Sequence, residues 1–191
     1  MASRRQFLLG SVSGLNAAWL SSHWPAILAA QAHAHQAAGS ASRTKFEFFS
    51  PTQAAEIEAM AAQIIPSDDT PGAREARTIY FIDRALTTFD RDKQAAYIRG
   101  IEELASKTRE LFSTANNFSE LTATQQIQLL TAIENTDFFQ LVRLHTVMGI
   151  LANPEYGGNQ DKVGWKLIGF EDEYSFEPPS GYYDAEKSKS S

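Results

Sequence analysis

Residues 137–152 have the sequence DFFQLVRLHTVMGILA, in which apolar side chains lie almost all round a helical projection. A helix that is apolar on every side is buried by several neighbours. Asp137 near its start suits the positive end of the helix dipole, and Asn153 and Pro154 predict its end. The pattern therefore predicts a central helix that other helices surround.

Four predicted helical segments precede this central helix. Ser50 and Gln53 form a capping box that predicts the start of the first helix. Thr70, which stands before a proline, predicts the N-cap of the second. The third is predicted over residues 90–112, and Thr122 opens the fourth with another capping box. The predicted fold class is all-α, a compact bundle of about five helices with a glycine-rich irregular C-terminal segment.

The N-terminus has the features of a twin-arginine export signal. Arg4 and Arg5 are separated only by Gln6 from the apolar Phe7 and Leu8, and small residues crowd the end of the apolar run near residues 30–34. A basic amphipathic helix or a membrane anchor would share the basic start, but the polar residues within the run make it a poor permanent span. The pattern predicts a periplasmic protein and leaves open whether the signal is cleaved or retained as an anchor.

The length of 191 residues suits one domain with appendages. The expected organisation is a signal over residues 1–34, a linker over 35–45, a helical domain over 46–171 and an extended or disordered tail over 172–191. The absence of cysteine excludes disulfides, thiolate metal sites and haem attachment through C-x-x-C-H. A formal net charge of −6 makes nucleic acid an unfavourable partner.

Three titratable residues are candidates for chemistry. Asp68 and Asp69, in the turn before the second helix, have the character of metal ligands or of an acid–base pair, but acids at a helix start also accept free backbone N–H groups. His145 in the central helix has the chemistry of a proton shuttle, yet no motif places a nucleophile beside it, which favours a core or interface histidine. No catalytic or metal residue is predicted from them. The alternative function is a stand-alone periplasmic binding protein or enzyme that uses these three residues.

The segment that follows the central helix, residues 153–170 (NPEYGGNQDKVGWKLIGF), is rich in glycine and aromatic residues. It has neither the dinucleotide-binding nor the P-loop glycine pattern, so no cofactor site is predicted. Its glycines are expected to supply positive φ or close backbone approach. Two interpretations stand equal: the segment folds back over the bundle, or it forms a partner interface. The candidate interface consists of Tyr156, Gly157, Gly158, Trp165, Leu167, Ile168 and Phe170.

The twin-arginine start, the stretch IIPSDDTPGAREARTIYFIDRAL and the glycine-rich segment together resemble the gluconate 2-dehydrogenase subunit 3 family. The resemblance covers roughly residues 46–171 and the signal. Its first motif includes Pro66, Asp68, Asp69, Thr70, Pro71 and Gly72, and its second includes the candidate interface. This chain lacks a second glycine-rich turn that some members carry after the final Gly-Phe pair, and its tail is acidic and tyrosine-rich instead.

The resemblance implies a role without chemistry of its own. Members of that family are small subunits of membrane-associated flavoprotein dehydrogenases that act on sugars, sugar acids or polyols. The implied partners are a large FAD-containing subunit of the glucose–methanol–choline type, often a multihaem cytochrome c that carries haem c, and the Tat translocase through the signal. The small subunit carries no cofactor and is implied to aid folding, flavin loading or export of the large subunit at the periplasmic side of the inner membrane.

Overall fold

The computed structural model describes residues 45–173. These residues form an all-α bundle without strands, which confirms the predicted fold class. The α-helices are α1 (Pro51–Ile64), α2 (Thr78–Thr87), α3 (Gln94–Leu111), α4 (Ala123–Ile133), α5 (Asp137–Leu151) and α6 (Val163–Ile168). Short 3₁₀ turns cover Arg91–Lys93, Phe118–Glu120, Pro154–Tyr156 and Gln160–Lys162. The predicted export signal, with Arg4, Arg5, Phe7 and Leu8, lies outside the described residues.

The central position predicted for residues 137–152 is confirmed. Helix α5 packs against α1, α2, α3 and α6, and its side chains enter both apolar clusters of the bundle. Val142 and Ile150 are fully buried. Thr136 caps the helix start, since its hydroxyl accepts a hydrogen bond from the Phe139 N–H.

Local capping signals place two helix starts correctly. At α1 the Ser50 hydroxyl accepts from the Gln53 N–H (3.3 Å), and the Gln53 side chain accepts from the Ser50 N–H (2.9 Å). Thr122 and Gln125 form the same reciprocal pair at α4. These boxes satisfy helix N–H groups that have no partner within the helix.

The predicted start of the second helix at Thr70 is wrong, because α2 begins only at Thr78. After Pro71 the chain turns back onto the end of α1, where the Ala73 N–H donates to the Ile65 carbonyl (2.8 Å). Arg77 then takes a left-handed conformation (φ 51°) directly before the helix. The tertiary bond to α1 replaces the helix that the local signal favours.

Two buried carboxylates hold irregular segments against the helices. Asp83 on α2 accepts from three consecutive backbone N–H groups, those of residues 47–49, at 2.7 to 3.1 Å. Glu56 on α1 accepts from the N–H groups of Phe118 (2.8 Å) and Ser119 (3.0 Å). Because a buried carboxylate is stable only when donors surround it, these bonds fix both segments in place.

The glycine-rich segment is less irregular than its composition suggests. Pro154–Tyr156 and Gln160–Lys162 form two 3₁₀ turns, and α6 follows as a short sixth helix. Within residues 45–173 no helix combines the length and the apolar character that a membrane span requires.

Candidate partner interface at the end of the central helix

The two sequence motifs meet beside the C-terminal half of α5. Gln160 belongs to the second motif, and Ala76 lies four residues after Gly72 of the first motif. The Gln160 N–H donates a hydrogen bond to the Ala76 carbonyl (3.1 Å). Side chains from both segments pack in one apolar cluster with Val147 and Ile150 of α5. The other members are Ala61, Ile64, Ile65, Ala73, Ala76, Leu151, Val163, Leu167 and Ile168. Two segments that are distant in sequence therefore build one end of the bundle.

The first motif forms a tight turn at the end of α1. A Cβ atom on Gly72 would lie 2.5 Å from the Ile65 carbonyl oxygen, so the turn requires glycine there. The Asp68 carboxylate accepts from the Thr70 N–H (3.0 Å), and Asp69 is exposed. Asp68 thus binds backbone within its own turn, although no helix starts at that point.

The end of this turn is held by a further carboxylate. Glu75 accepts from the Gly72 N–H (2.8 Å) and from the Ser67 hydroxyl. The Ser67 hydrogen bond, with that of Gly72 second, lowers the pKa of the Glu75 carboxyl below its usual value. The carboxylates of Asp68 and Glu75 are therefore engaged in shaping the turn.

His145 lies in the core with both ring nitrogens engaged. Its Nδ1 is 2.9 Å from the Tyr97 hydroxyl and its Nε2 is 3.1 Å from an Asp90 carboxylate oxygen. All three residues are at most 2% exposed. Burial raises the pKa of the Tyr97 phenol well above its usual value, and the Asp90 charge adds to the rise. The arrangement is a satisfied polar network inside the bundle.

The three candidates for chemistry do not assemble into one site. His145 bonds to Asp90 and Tyr97, which the sequence did not single out, whereas Asp68 bonds within its turn. In the part of the chain that the structure describes, no three His, Asp or Glu side chains are grouped to hold a metal ion.

The second motif caps the C-terminus of α5. The Trp165 indole N–H donates to the Leu151 carbonyl (2.7 Å), and the Asn159 amide donates to the Ala152 carbonyl (2.9 Å). The Asn159 side-chain oxygen in turn accepts from the Gly164 N–H (2.8 Å). Carbonyl groups at a helix end have no partner within the helix, so these side chains complete the central helix.

Two glycines allow the motif to lie directly on the helix backbone. A Cβ atom on Gly158 would overlap the Gly149 carbonyl, and one on Gly164 would overlap the Ile150 carbonyl. Gly157 has φ 99°, which favours glycine. The expectation of close backbone approach and positive φ is confirmed at these positions.

The residues of the candidate interface differ in how far they are exposed to solvent. Gly158 and Trp165 are buried, with Trp165 only 9% exposed, which agrees with a segment that folds back over the bundle. Tyr156, Gly157, Leu167 and Ile168 are half-buried. Phe170 is 49% exposed, directly after α6. The role of these residues in binding a partner stays a prediction, and Phe170 offers the largest free apolar area among them.

An apolar pocket of about 210 Å³ lies beside this segment. Its walls come from Phe81, Phe89, Met148, Leu151, Ala152, Asn153 and Tyr156. Tyr156 is the only lining residue that belongs to the predicted candidate interface. The other lining residues come from α2, the end of α5 and the residues that follow these helices. Burial, with the Glu155 charge second, raises the pKa of the Tyr156 phenol. The lining suits an apolar side chain, because no cationic or carboxylate side chain belongs to it.

The chain matches a known protein family over nearly all of the region that the structure describes. A family model described as Gluconate 2-dehydrogenase subunit 3 matches residues 51–172. The match spans α1 to α6 and includes both motifs. No curated protein and no solved structure matches the chain.

Proposed function

The chain belongs to the gluconate 2-dehydrogenase subunit 3 family and is thus a subunit of a dehydrogenase complex, and we propose that it serves there as the non-catalytic small subunit. In this proposal the catalytic partner is a large FAD-dependent subunit of the glucose–methanol–choline type that oxidises a sugar, a sugar acid or a polyol. A cytochrome c subunit with haem c completes the complex.

The observation that carries this proposal is how the motif residues are used. Asp68, Gly72, Asn159, Gly164 and Trp165 are engaged in turns, helix capping and close packing at one end of the bundle. A motif that shapes a surface supports a binding role, whereas an enzyme needs reactive groups that converge on an open site. The apolar pocket beside the end of α5 and the exposed aromatic ring after α6 support the same role, since both offer contact area.

The export role rests on the twin-arginine pattern at Arg4 and Arg5. The twin-arginine route carries folded proteins, so a small subunit with this signal would carry its folded, flavin-loaded partner with it. The proposal therefore assigns two tasks to one chain: it assists maturation of the large subunit and brings it to the periplasmic side of the inner membrane.

We expect substitution of the exposed acids to leave catalysis intact. In the assembled complex, replacing Asp68 and Asp69 by asparagine keeps one side-chain oxygen at residue 68 to accept from the Thr70 N–H and removes both charges. The turnover number of the complex is expected to stay within about twofold of the wild type, because Asp68 accepts from backbone within its own turn and Asp69 is exposed. Steady-state kinetics with the physiological substrate class and an artificial electron acceptor measure this.

The isolated full chain provides the control. It is expected to show no turnover and no stoichiometric metal by elemental analysis. A large fall in turnover number in the assembled double variant, or turnover by the chain alone, would make this chain an enzyme and contradict the proposal.

A further inference from the structure

Phe170 is held by backbone hydrogen bonds and a ring contact, while about half of its surface faces solvent. The N–H groups of Gly169 and Phe170 donate to the carbonyls of Lys166 (3.2 Å) and Trp165 (2.9 Å), which is the Schellman pattern of helix ends. The Phe170 ring meets the Trp165 ring edge-on, with centroids 5.1 Å apart. An apolar contact of this kind commonly accompanies the Schellman pattern. The contact leaves the Phe170 side chain 49% exposed.

Acidic side chains follow the exposed ring directly. Glu171, Asp172 and Glu173 are all exposed. Lys162 pairs with Asp172 (2.9 Å) and lies 5.5 Å from the centre of the Trp165 ring, so it fixes the segment against α6. Within residues 45–173 no ion pair is formed by Glu171 or Glu173. These two exposed carboxylates place negative charge beside the ring.

We propose that residues 170–173 are a docking element that seats Phe170 in an apolar socket on the large subunit, bordered by lysine or arginine side chains. This inference rests on the proposed function and names the chemistry of the partner surface. Aromatic residues that are held in their bound position lose little entropy on binding and often dominate an interface. Acids at the rim select a positive counterpart and speed association.

The charge of the segment decides among possible occupants. A second copy of this chain carries the same formal net charge of −6, so like charges oppose its approach. An anionic lipid surface is repelled by the same carboxylates. A protein surface with a basic rim is the occupant that both the ring and the acids fit.

The first test measures the dissociation constant between the full-length chain and the purified flavin-containing large subunit, with one of the two immobilised on a sensor surface. Phe170→Ala is expected to raise this constant by at least about tenfold, the effect of removing an interface anchor. The matched control is Ile127→Ala on α4, where the side chain is 55% exposed, and it is expected to change the constant by less than about twofold. The melting temperature of each variant separates loss of binding from loss of fold.

The second test uses charge and leaves the Phe170 ring in place. Glu171→Lys combined with Glu173→Lys is expected to slow association by about tenfold at low salt and to reduce its salt dependence. Glu102→Lys combined with Glu103→Lys on α3 changes the net charge equally at another exposed place and is expected to have a smaller effect.

The possible results distinguish failure of the docking element from failure of the proposed function. If the wild type binds the large subunit and both variants match their controls, the docking element is refuted and the proposed function stands. If the wild type itself does not bind the large subunit, both are refuted. Weaker binding by the Phe170 variant and slower association by the charge variant, each with an unchanged melting temperature, support the docking element.

Discussion

Replacing Gly164 with alanine is expected to lower the free energy of unfolding by about 2 to 3 kcal/mol. A Cβ atom at this position would overlap the Ile150 carbonyl oxygen of α5. The obstacle is backbone, which has no alternative rotamer, so α6 would have to move away from the central helix. That movement would also strain the bond between the Gly164 N–H and Asn159 and the bond between Trp165 and Leu151.

The sign of the stability change distinguishes close packing at Gly164 from an ordinary helix position. In an ordinary helix, exchanging glycine for alanine stabilises by about 0.5 to 1 kcal/mol. Urea unfolding of the full chain, followed by circular dichroism, gives the difference. Lys166→Ala in the same helix is the matched control and is expected to change stability by at most about 0.5 kcal/mol, since its side chain is exposed. A stabilised Gly164→Ala variant would contradict the close packing of α6 on α5.

Changing both Arg4 and Arg5 to lysine is expected to keep the large subunit in the cytoplasm. Lysine retains the positive charge but lacks the planar guanidinium group, and the export signal is defined by the arginine pair. Dehydrogenase activity in the periplasmic fraction is expected to fall to background, while the complex still forms in the cytoplasm.

The matched control changes two arginines in the folded body. Arg99→Lys with Arg109→Lys alters exposed positions on α3 and is expected to leave periplasmic activity unchanged. Cell fractionation with an activity assay and immunoblotting of the large subunit distinguishes the two. If the Arg4 and Arg5 double variant still delivers active large subunit to the periplasm, this chain does not carry it there.

Local signals in the sequence were sufficient for the parts of the fold that depend on neighbouring residues. Ser50 with Gln53 encodes its helix start through side chains that reach only three residues along the chain. The all-round apolar pattern of residues 137–152 predicts burial whichever helices surround it. Such features depend on no knowledge of tertiary contacts.

Features that depend on distant contacts were not predictable in the same way. Thr70 has the local signal of a helix start, but the Ala73 N–H is bound by Ile65 at the end of α1. Asp83 accepts N–H groups from residues 47–49, and no pattern around Asp83 indicates that segment. His145 likewise meets Asp90 and Tyr97 only through the packing of three elements.

The structure of the glycine-rich segment depends both on local signals and on distant contacts. Its composition predicted close backbone approach, which Gly158 and Gly164 confirm, but composition does not specify which backbone is approached. The direction of Trp165 was equally open, because a tryptophan suits both a core and an interface. The Leu151 carbonyl, at the end of another helix, determines that direction.

The proposed function requires that this chain binds a larger flavoprotein. Size-exclusion chromatography with light scattering, applied to the tagged full chain co-expressed with the large subunit, measures this directly. We expect one peak that contains both chains in a fixed ratio, carries flavin absorbance and holds all of the dehydrogenase activity. Elution of this chain by itself, with the flavin and the activity in a separate peak, would contradict it.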